Sequence, residues 1–150
     1  MLFFNHRFDP PSGSLIGPRV ELTSREVEVA GLLEVLQTPG ASFGNWSFLD
    51  ALLDSTSDEF LFREPLGVSR EVKTALSGLL GRFVARAYAS RHLGFSYFAH
   101  IHGNWMPLAR AGGAVRQLIS GDRPDWAVWE FQQGLAIIEA KGSQTQGAHS

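Results

Sequence analysis

The stretch PDWAVWEFQQGLAIIEAK, residues 124–141, decides the fold. Two runs rich in apolar residues, Trp126–Phe131 and Leu135–Ala140, flank Gln132-Gln133-Gly134. That spacing predicts an antiparallel β-hairpin. Side chains alternate faces along a strand, so Glu139 and Lys141 point one way, with Leu135 and Ile137. The face of Asp125 depends on the turn. A three-residue loop, Gln132 to Gly134, sets Phe131 against Leu135, Trp129 against Ile137, Ala127 against Glu139 and Asp125 against Lys141. A two-residue loop, Gln133-Gly134, shifts every pair by one and moves Asp125 to the opposite face.

In the first register Asp125, Glu139 and Lys141 converge at one end of one face. Asp125 and Glu139 are then diagonal neighbours, roughly 7–8 Å apart between Cα atoms. Two carboxylates so placed can share a hard divalent cation. Mg²⁺, or Mn²⁺, takes oxygen ligands, which Asp125, Glu139 and the backbone carbonyl of Ala140 could supply. Such an ion offsets charge on a phosphodiester, and Lys141 can orient the attacking water. The competing reading is plainer. Asp125 is a turn residue after Pro124, and Glu139 and Lys141 are gatekeeping charges at a strand end.

Pro124-Asp125, thirteen intervening residues and Glu139-Ala140-Lys141 resemble the motif of the PD-(D/E)XK, or restriction-endonuclease-like, nuclease superfamily. The resemblance covers roughly residues 69–143, and it implies a Mg²⁺-dependent nuclease that hydrolyses DNA. It implies Asp125 and Glu139 as metal ligands and Lys141 as the residue assisting the water. A preceding helix often carries another acid in this family. Glu71 is the only acidic residue in the helix expected here. The family core continues past the Glu-x-Lys strand with a helix and another strand. Nine residues follow Lys141, so the resemblance implies a core truncated after the Glu-x-Lys strand, a fragment lacking a further C-terminal portion, or a chain completed by a homodimer partner.

Upstream of the hairpin, a helix is expected from about Ser69 to His92. Ser69 suits the N-cap and Glu71 the first turn. Val72, Leu76, Leu79, Leu80, Phe83, Ala87 and Tyr88 recur at helical spacing as one buried stripe. Arg86 and Arg91 lie on its two flanks, and Gly94 supplies the stop. Arg82, Arg86 and Arg91 read as a solvated flank. Arg86, Arg91 and Arg123 become candidate DNA contacts if the hairpin site is real. FSYFAHIHG, 95–103, alternates and reads as a strand. NWMPLARAGG reads as loop, and AVRQLIS as an ambiguous further strand. His100 and His102 share a strand face and offer an alternative transition-metal pair. Trp105, Trp126 and Trp129 read as core.

Towards the N-terminus, residues 5–19 are rich in Pro and Gly and read as an irregular arm. Thr23 and Glu26 form a T-x-x-E capping box ahead of a helix with Val27, Val29, Ala30, Leu33 and Leu36 on its apolar side. Thr38-Pro39-Gly40 stops it. GNWSFLDALLD, 44–54, suggests a short helix. The organisation expected is an N-terminal helical and irregular region, 1–68, a nuclease-like core, 69–143, and a frayed tail, 144–150. The class is α/β in the broad sense and α+β by chain order, a long helix on a small mixed or antiparallel sheet.

Composition sets the bounds. The chain has 150 residues, 44% hydrophobic and 19% charged, enough for one globular core. With no cysteine, disulfides, thiolate metal sites and cysteine nucleophiles are excluded. No signal peptide or membrane span is read, and a cytoplasmic location is expected. Residues 1–69 carry 4 basic against 10 acidic side chains, and residues 70–150 carry 9 against 5. A basic C-terminal half suits a polyanion. The alternative is that the two halves neutralise each other in the fold. Two further function classes stand beside the nuclease: a non-catalytic nucleic-acid-binding or protein-interaction module with the same fold, and an unrelated α+β domain.

Overall fold

The computed structural model describes residues 2–4, 7–8, 15–16, 20–36, 49, 52–54, 56, 63, 69–109 and 111–140. Within them, strands β1 (Leu2–Phe4) and β4 (Val20–Leu22) pair antiparallel. So do β2 (Arg7–Phe8) and β3 (Leu15–Ile16). The arm expected to be irregular, 5–19, therefore contains one short ladder, β2–β3, and is bracketed by a second, β1–β4. Its Pro and Gly residues fall largely between β2 and β3 in sequence, and they had masked the pairing runs.

Helix α1 spans Ser24–Leu36. The capping box forms as the sequence requires. The Glu26 N–H donates to Thr23 Oγ1 at 3.2 Å, and Glu26 Oε2 accepts from the Thr23 N–H at 2.8 Å. Two orphan donors of the first turn are thereby satisfied. Val27 and Ala30 are buried, whereas Val29 is exposed. Helix α2 spans Arg70–Arg91, with Ser69 at its N-cap. Leu80, Phe83 and Ala87 form the buried centre of its stripe, and Val72 stays exposed at the start. Beyond the helix, Gly94 adopts φ 72°.

The helices meet at Gly31. A Cβ there would lie 2.5 Å from the Phe83 ring, so only glycine permits this approach. Leu22, Val27, Ala30, Leu49, Leu53, Leu80, Phe83 and Ala87 make one core. The boundary expected at residues 68 and 69 runs through that core. Of the short helix expected at 44–54, Leu49 and Leu52 are helical, and most of the rest lies outside the described residues.

The other side of α2 rests on a three-stranded antiparallel sheet in the order β5-β8-β9. These are β5 (Tyr97–His100), β8 (Trp126–Glu130) and β9 (Gly134–Ile138). Ala89, Phe95, Trp126 and Val128 form the core between helix and sheet. Full burial of side chains such as Trp126 and Val128 contributes ~1.5–3 kcal/mol each. On the opposite face, hairpin β6 (Trp105–Leu108) and β7 (Gly113–Arg116) packs Met106 and Leu108 on Ala127. The stretch expected as loop is thus a strand. Its burial alternates, with Met106 and Leu108 inside and Trp105 and Pro107 outside. Pro107 hides the pattern, yet a two-stranded ribbon tolerates proline because each strand has an open edge. The class is mixed α+β, and every described strand pair is antiparallel. Among the described residues no helix is long and apolar enough to cross a membrane.

Candidate functional site

The decisive hairpin turns one residue earlier than the three-residue register and does not adopt the two-residue one. Glu130 pairs with Gly134, Trp129 with Leu135, Val128 with Ala136, Ala127 with Ile137 and Trp126 with Ile138. The loop is Phe131–Gln133, and the Gln133 N–H donates to the Glu130 carbonyl at 3.2 Å. Gly134 has φ 78° but belongs to the ladder. This is a four-residue turn followed by a left-handed glycine, a three-residue connection with a bulge. A glycine at positive φ suits the last loop position equally well, so the sequence alone leaves Gly134 inside the loop.

The parity nevertheless matches the three-residue case. Continuing the register one step past Trp126 and Ile138 puts Asp125 across from Glu139. Both stand just outside the ladder at the mouth of the hairpin. Leu135 and Ile137 are each 47% exposed, and Glu139 is exposed on the same open face. Lys141, the other charge of the motif, lies outside the described residues, as does the tail, 144–150.

The Asp125 carboxylate is not turned to solvent. Its Oδ2 accepts the Ala140 N–H at 2.6 Å, which ties the two strand ends together. Its Oδ1 accepts from Arg82 Nη1 on α2. The Asp125 carbonyl accepts the Ile101 N–H at 3.1 Å, so the start of β8 is held from both sides.

Arg82 leads to a residue that sequence reasoning missed. Glu34, near the end of α1, is only 5% exposed. Its Oε1 accepts from Arg82 Nε at 2.8 Å and faces Nη2 at 2.7 Å. Its Oε2 accepts from Arg86 Nη1 at 2.9 Å and from Trp126 Nε1 at 3.0 Å. A buried carboxylate requires such compensation. Arg82 and Arg86 are therefore drawn inward instead of forming a solvated flank. Their guanidinium planes also cover rings, Arg82 over Trp126 at 4.8 Å and Arg86 over Phe98 at 4.6 Å. The signal was in the spacing. Val27, Ala30, Gly31 and Glu34 follow the i, i+3, i+4, i+7 rule, so Glu34 lies on the buried face.

His100 completes the cluster. Its Nδ1 lies 3.1 Å from Arg82 Nη2. A guanidinium can only donate, so Nδ1 accepts and the ring is neutral, with its proton on Nε2. Nε2 faces Glu34 Oε2 at 3.4 Å, without forming a hydrogen bond. Burial is the largest influence and pushes the imidazole below its ordinary value; Glu34 opposes this, and Arg82 and Arg86 add to it. His102 is exposed beyond the end of β5. Among the described residues no three His, Asp or Glu side chains gather as a metal-ligand set.

The remaining candidates have other partners. Glu71 is exposed in the first turn of α2, bonded by Ser69 Oγ. It lies eleven residues before Arg82 in the same helix, ~16 Å along the axis. Arg91 pairs with Glu26 of α1. Arg123 donates to Gln117 Oε1 and Asn104 Oδ1, each at 2.9 Å, bracing the base of the β6–β7 hairpin. Trp126 is core as expected, whereas Trp105 is 61% exposed. A cleft of about 510 Å³ runs along β5, with Arg86, Tyr97, Phe98, His100, His102 and Met106 in its walls. It reaches the Glu34 cluster through Arg86 and His100 and is not lined by Asp125 or Glu139.

Two carboxylates and the Ala140 carbonyl are hard oxygen donors of the type Mg²⁺ or Mn²⁺ takes, and Mg²⁺ often uses only one or two protein carboxylates. Here both Asp125 oxygens are already engaged, by Arg82 and by the Ala140 N–H. The Arg82 guanidinium is paired with Asp125. Comparisons with family models, with curated proteins and with solved structures find no match to this chain.

Proposed function

We propose that this chain is a nuclease-like domain that hydrolyses phosphodiester bonds in DNA with Mg²⁺ or Mn²⁺. The observation that supports the reading is the β8–β9 register, which, continued one step past Trp126 and Ile138, sets the Asp125 backbone opposite that of Glu139. The PD-(D/E)XK resemblance supplies the roles. Asp125, Glu139 and the Ala140 carbonyl would hold the ion, and Lys141 would orient the attacking water. When bound, the ion would acidify that water and offset charge on the phosphate. The chain's own part is positional. The Ala140 N–H and Arg82 fix the Asp125 carboxylate, and Glu34 fixes Arg82.

One observation favours a second reading, a non-catalytic DNA-binding or interaction module. Both Asp125 oxygens already accept hydrogen bonds within the protein. Plasmid DNA incubated with the chain separates the readings. Mg²⁺-dependent nicking that disappears with Lys141→Ala supports the nuclease. Salt-sensitive binding with no nicking under Mg²⁺ or Mn²⁺ contradicts it and supports the module.

A further inference from the structure

We infer that the cleft along β5 is a groove for an extended peptide of alternating acidic and apolar residues, which joins the sheet as a further antiparallel strand. This site is separate from Asp125 and Glu139 and does not depend on their reading. In the order β5-β8-β9, β5 is paired on one side only among the described residues. Successive residues of an antiparallel strand turn their N–H and C=O groups to opposite sides. The Ile101 N–H donates to the Asp125 carbonyl, so Ile101, Ala99 and Tyr97 address β8. Phe98 and His100 therefore aim their backbone N–H and C=O groups the other way, at the cleft. The cleft runs the length of the strand, from Ser96 to His100. Open main-chain groups on such an edge are a template for another strand.

Exposed edges are usually blunted by proline, lysine or a bulge. Tyr97–His100 contains no proline or lysine and pairs with β8 without a bulge. Its edge is recessed instead. Leu33 of α1 and Arg86 of α2 stand on one side, and Met106 and Pro107 of the β6–β7 hairpin on the other. An added strand shows alternate side chains to these two walls. On the helix side the Arg86 guanidinium lies 4.6 Å from the Phe98 ring. On the hairpin side Tyr97, 42% exposed, and Pro107 offer apolar surface. The described walls carry Arg86 and the imidazoles of His100 and His102 but no carboxylate. Glu34, behind Arg86, is buried and matched by two arginines. The complementary segment thus places acidic side chains towards the helices and apolar ones towards the hairpin.

The test titrates the full-length, unaltered chain against dye-labelled peptides, read by fluorescence anisotropy. The probes are a peptide alternating glutamate with valine, its lysine–valine counterpart, and versions N-methylated on the glutamate or on the valine amides. Phe98 and His100 have side chains on the helix side and backbone groups at the open edge. In antiparallel pairing their partners are the residues on that same side, the glutamates. N-methylation of the glutamate amides should therefore weaken binding about tenfold or more, and that of the valine amides should not. The lysine–valine peptide should bind about tenfold more weakly than the glutamate–valine one. Amide hydrogen exchange followed by NMR should show Phe98 and His100 protected on binding, with Leu135 and Ile137 of β9 unchanged. No binding, binding indifferent to glutamate N-methylation or to the charge of the peptide, or protection on β9 instead overturns the proposal. Protection of Phe98 and His100 that grows with protein concentration alone gives the edge to a second copy of the chain and overturns it as well.

Discussion

Trp126 and Glu34 are 92 positions apart in the chain and joined by a hydrogen bond of 3.0 Å from the indole Nε1 to the carboxylate. That bond ties α1 to the central strand, with α2 between them supplying two arginines. Glu34→Ala leaves those cations and a buried indole N–H facing a gap. The expected cost is about 3–5 kcal/mol, the range for breaking a buried ion pair from one side. Urea unfolding measures it, and a loss under 1 kcal/mol would show the cluster to be ornamental.

Gly31 is the closest approach of the two helices. Gly31→Ala drives a methyl into the buried Phe83 ring and should destabilise by about 1–3 kcal/mol. Gly78, on the exposed side of α2, has nothing within 4 Å of a built Cβ. Gly78→Ala should stabilise by about 0.5–1 kcal/mol through backbone entropy alone. Opposite signs from two helical glycines, read by thermal melts, identify the crossing point.

The hairpin register can be read chemically because the chain has no cysteine of its own. Trp129 and Leu135 are directly paired, a spacing that a disulfide spans. The double variant Trp129→Cys with Leu135→Cys should oxidise to an intramolecular bridge. Trp129→Cys with Ile137→Cys, the pair required by a loop at Gln132–Gly134, should not. Mass spectrometry of non-reduced digests distinguishes them, and the reverse result would undo the placement of Asp125 across from Glu139.

The helices, the meander and the hairpin were legible because each rests on local signals: a capping box at Thr23 and Glu26, the Leu80–Phe83–Ala87 stripe, and alternation around a glycine turn. The exact loop count was not legible. Gly134 at positive φ fits both the last loop position and the first ladder position, and only the paired backbone decides. The Glu34 cluster was harder still. Arg82 and Arg86, four apart, look the same on a solvated flank as around a buried carboxylate. The charge difference between the halves of the chain was the available hint, and the pairs Glu26–Arg91, Glu34–Arg82 and Glu34–Arg86 show part of it neutralised across the α1–α2 interface.

His100 makes stability depend on pH. Its folded-state proton affinity lies below the ordinary value, first through burial, against the pull of Glu34 and with the push of Arg82 and Arg86; Asp125 adds a smaller opposing pull. The unfolded chain therefore binds the proton more readily. Stability is complete above about pH 6.5 and falls as the pH drops from there through the lowered folded value. The melting temperature should decline between pH 7.5 and 5.5 more steeply in wild type than in His100→Gln. Equal slopes would mean that His100 titrates as freely in the fold as outside it.

The most direct measurement of the central claim is single-turnover cleavage of end-labelled duplex DNA with Mg²⁺, comparing wild type, Asp125→Asn and Glu139→Gln at equal folded concentration. The account predicts metal-dependent cleavage by wild type. Each variant should lose at least the ~10–100-fold that even an outer partner of a metal ligand is worth. Wild-type cleavage that survives either substitution unchanged, or no cleavage by wild type with Mg²⁺ or Mn²⁺, would contradict it.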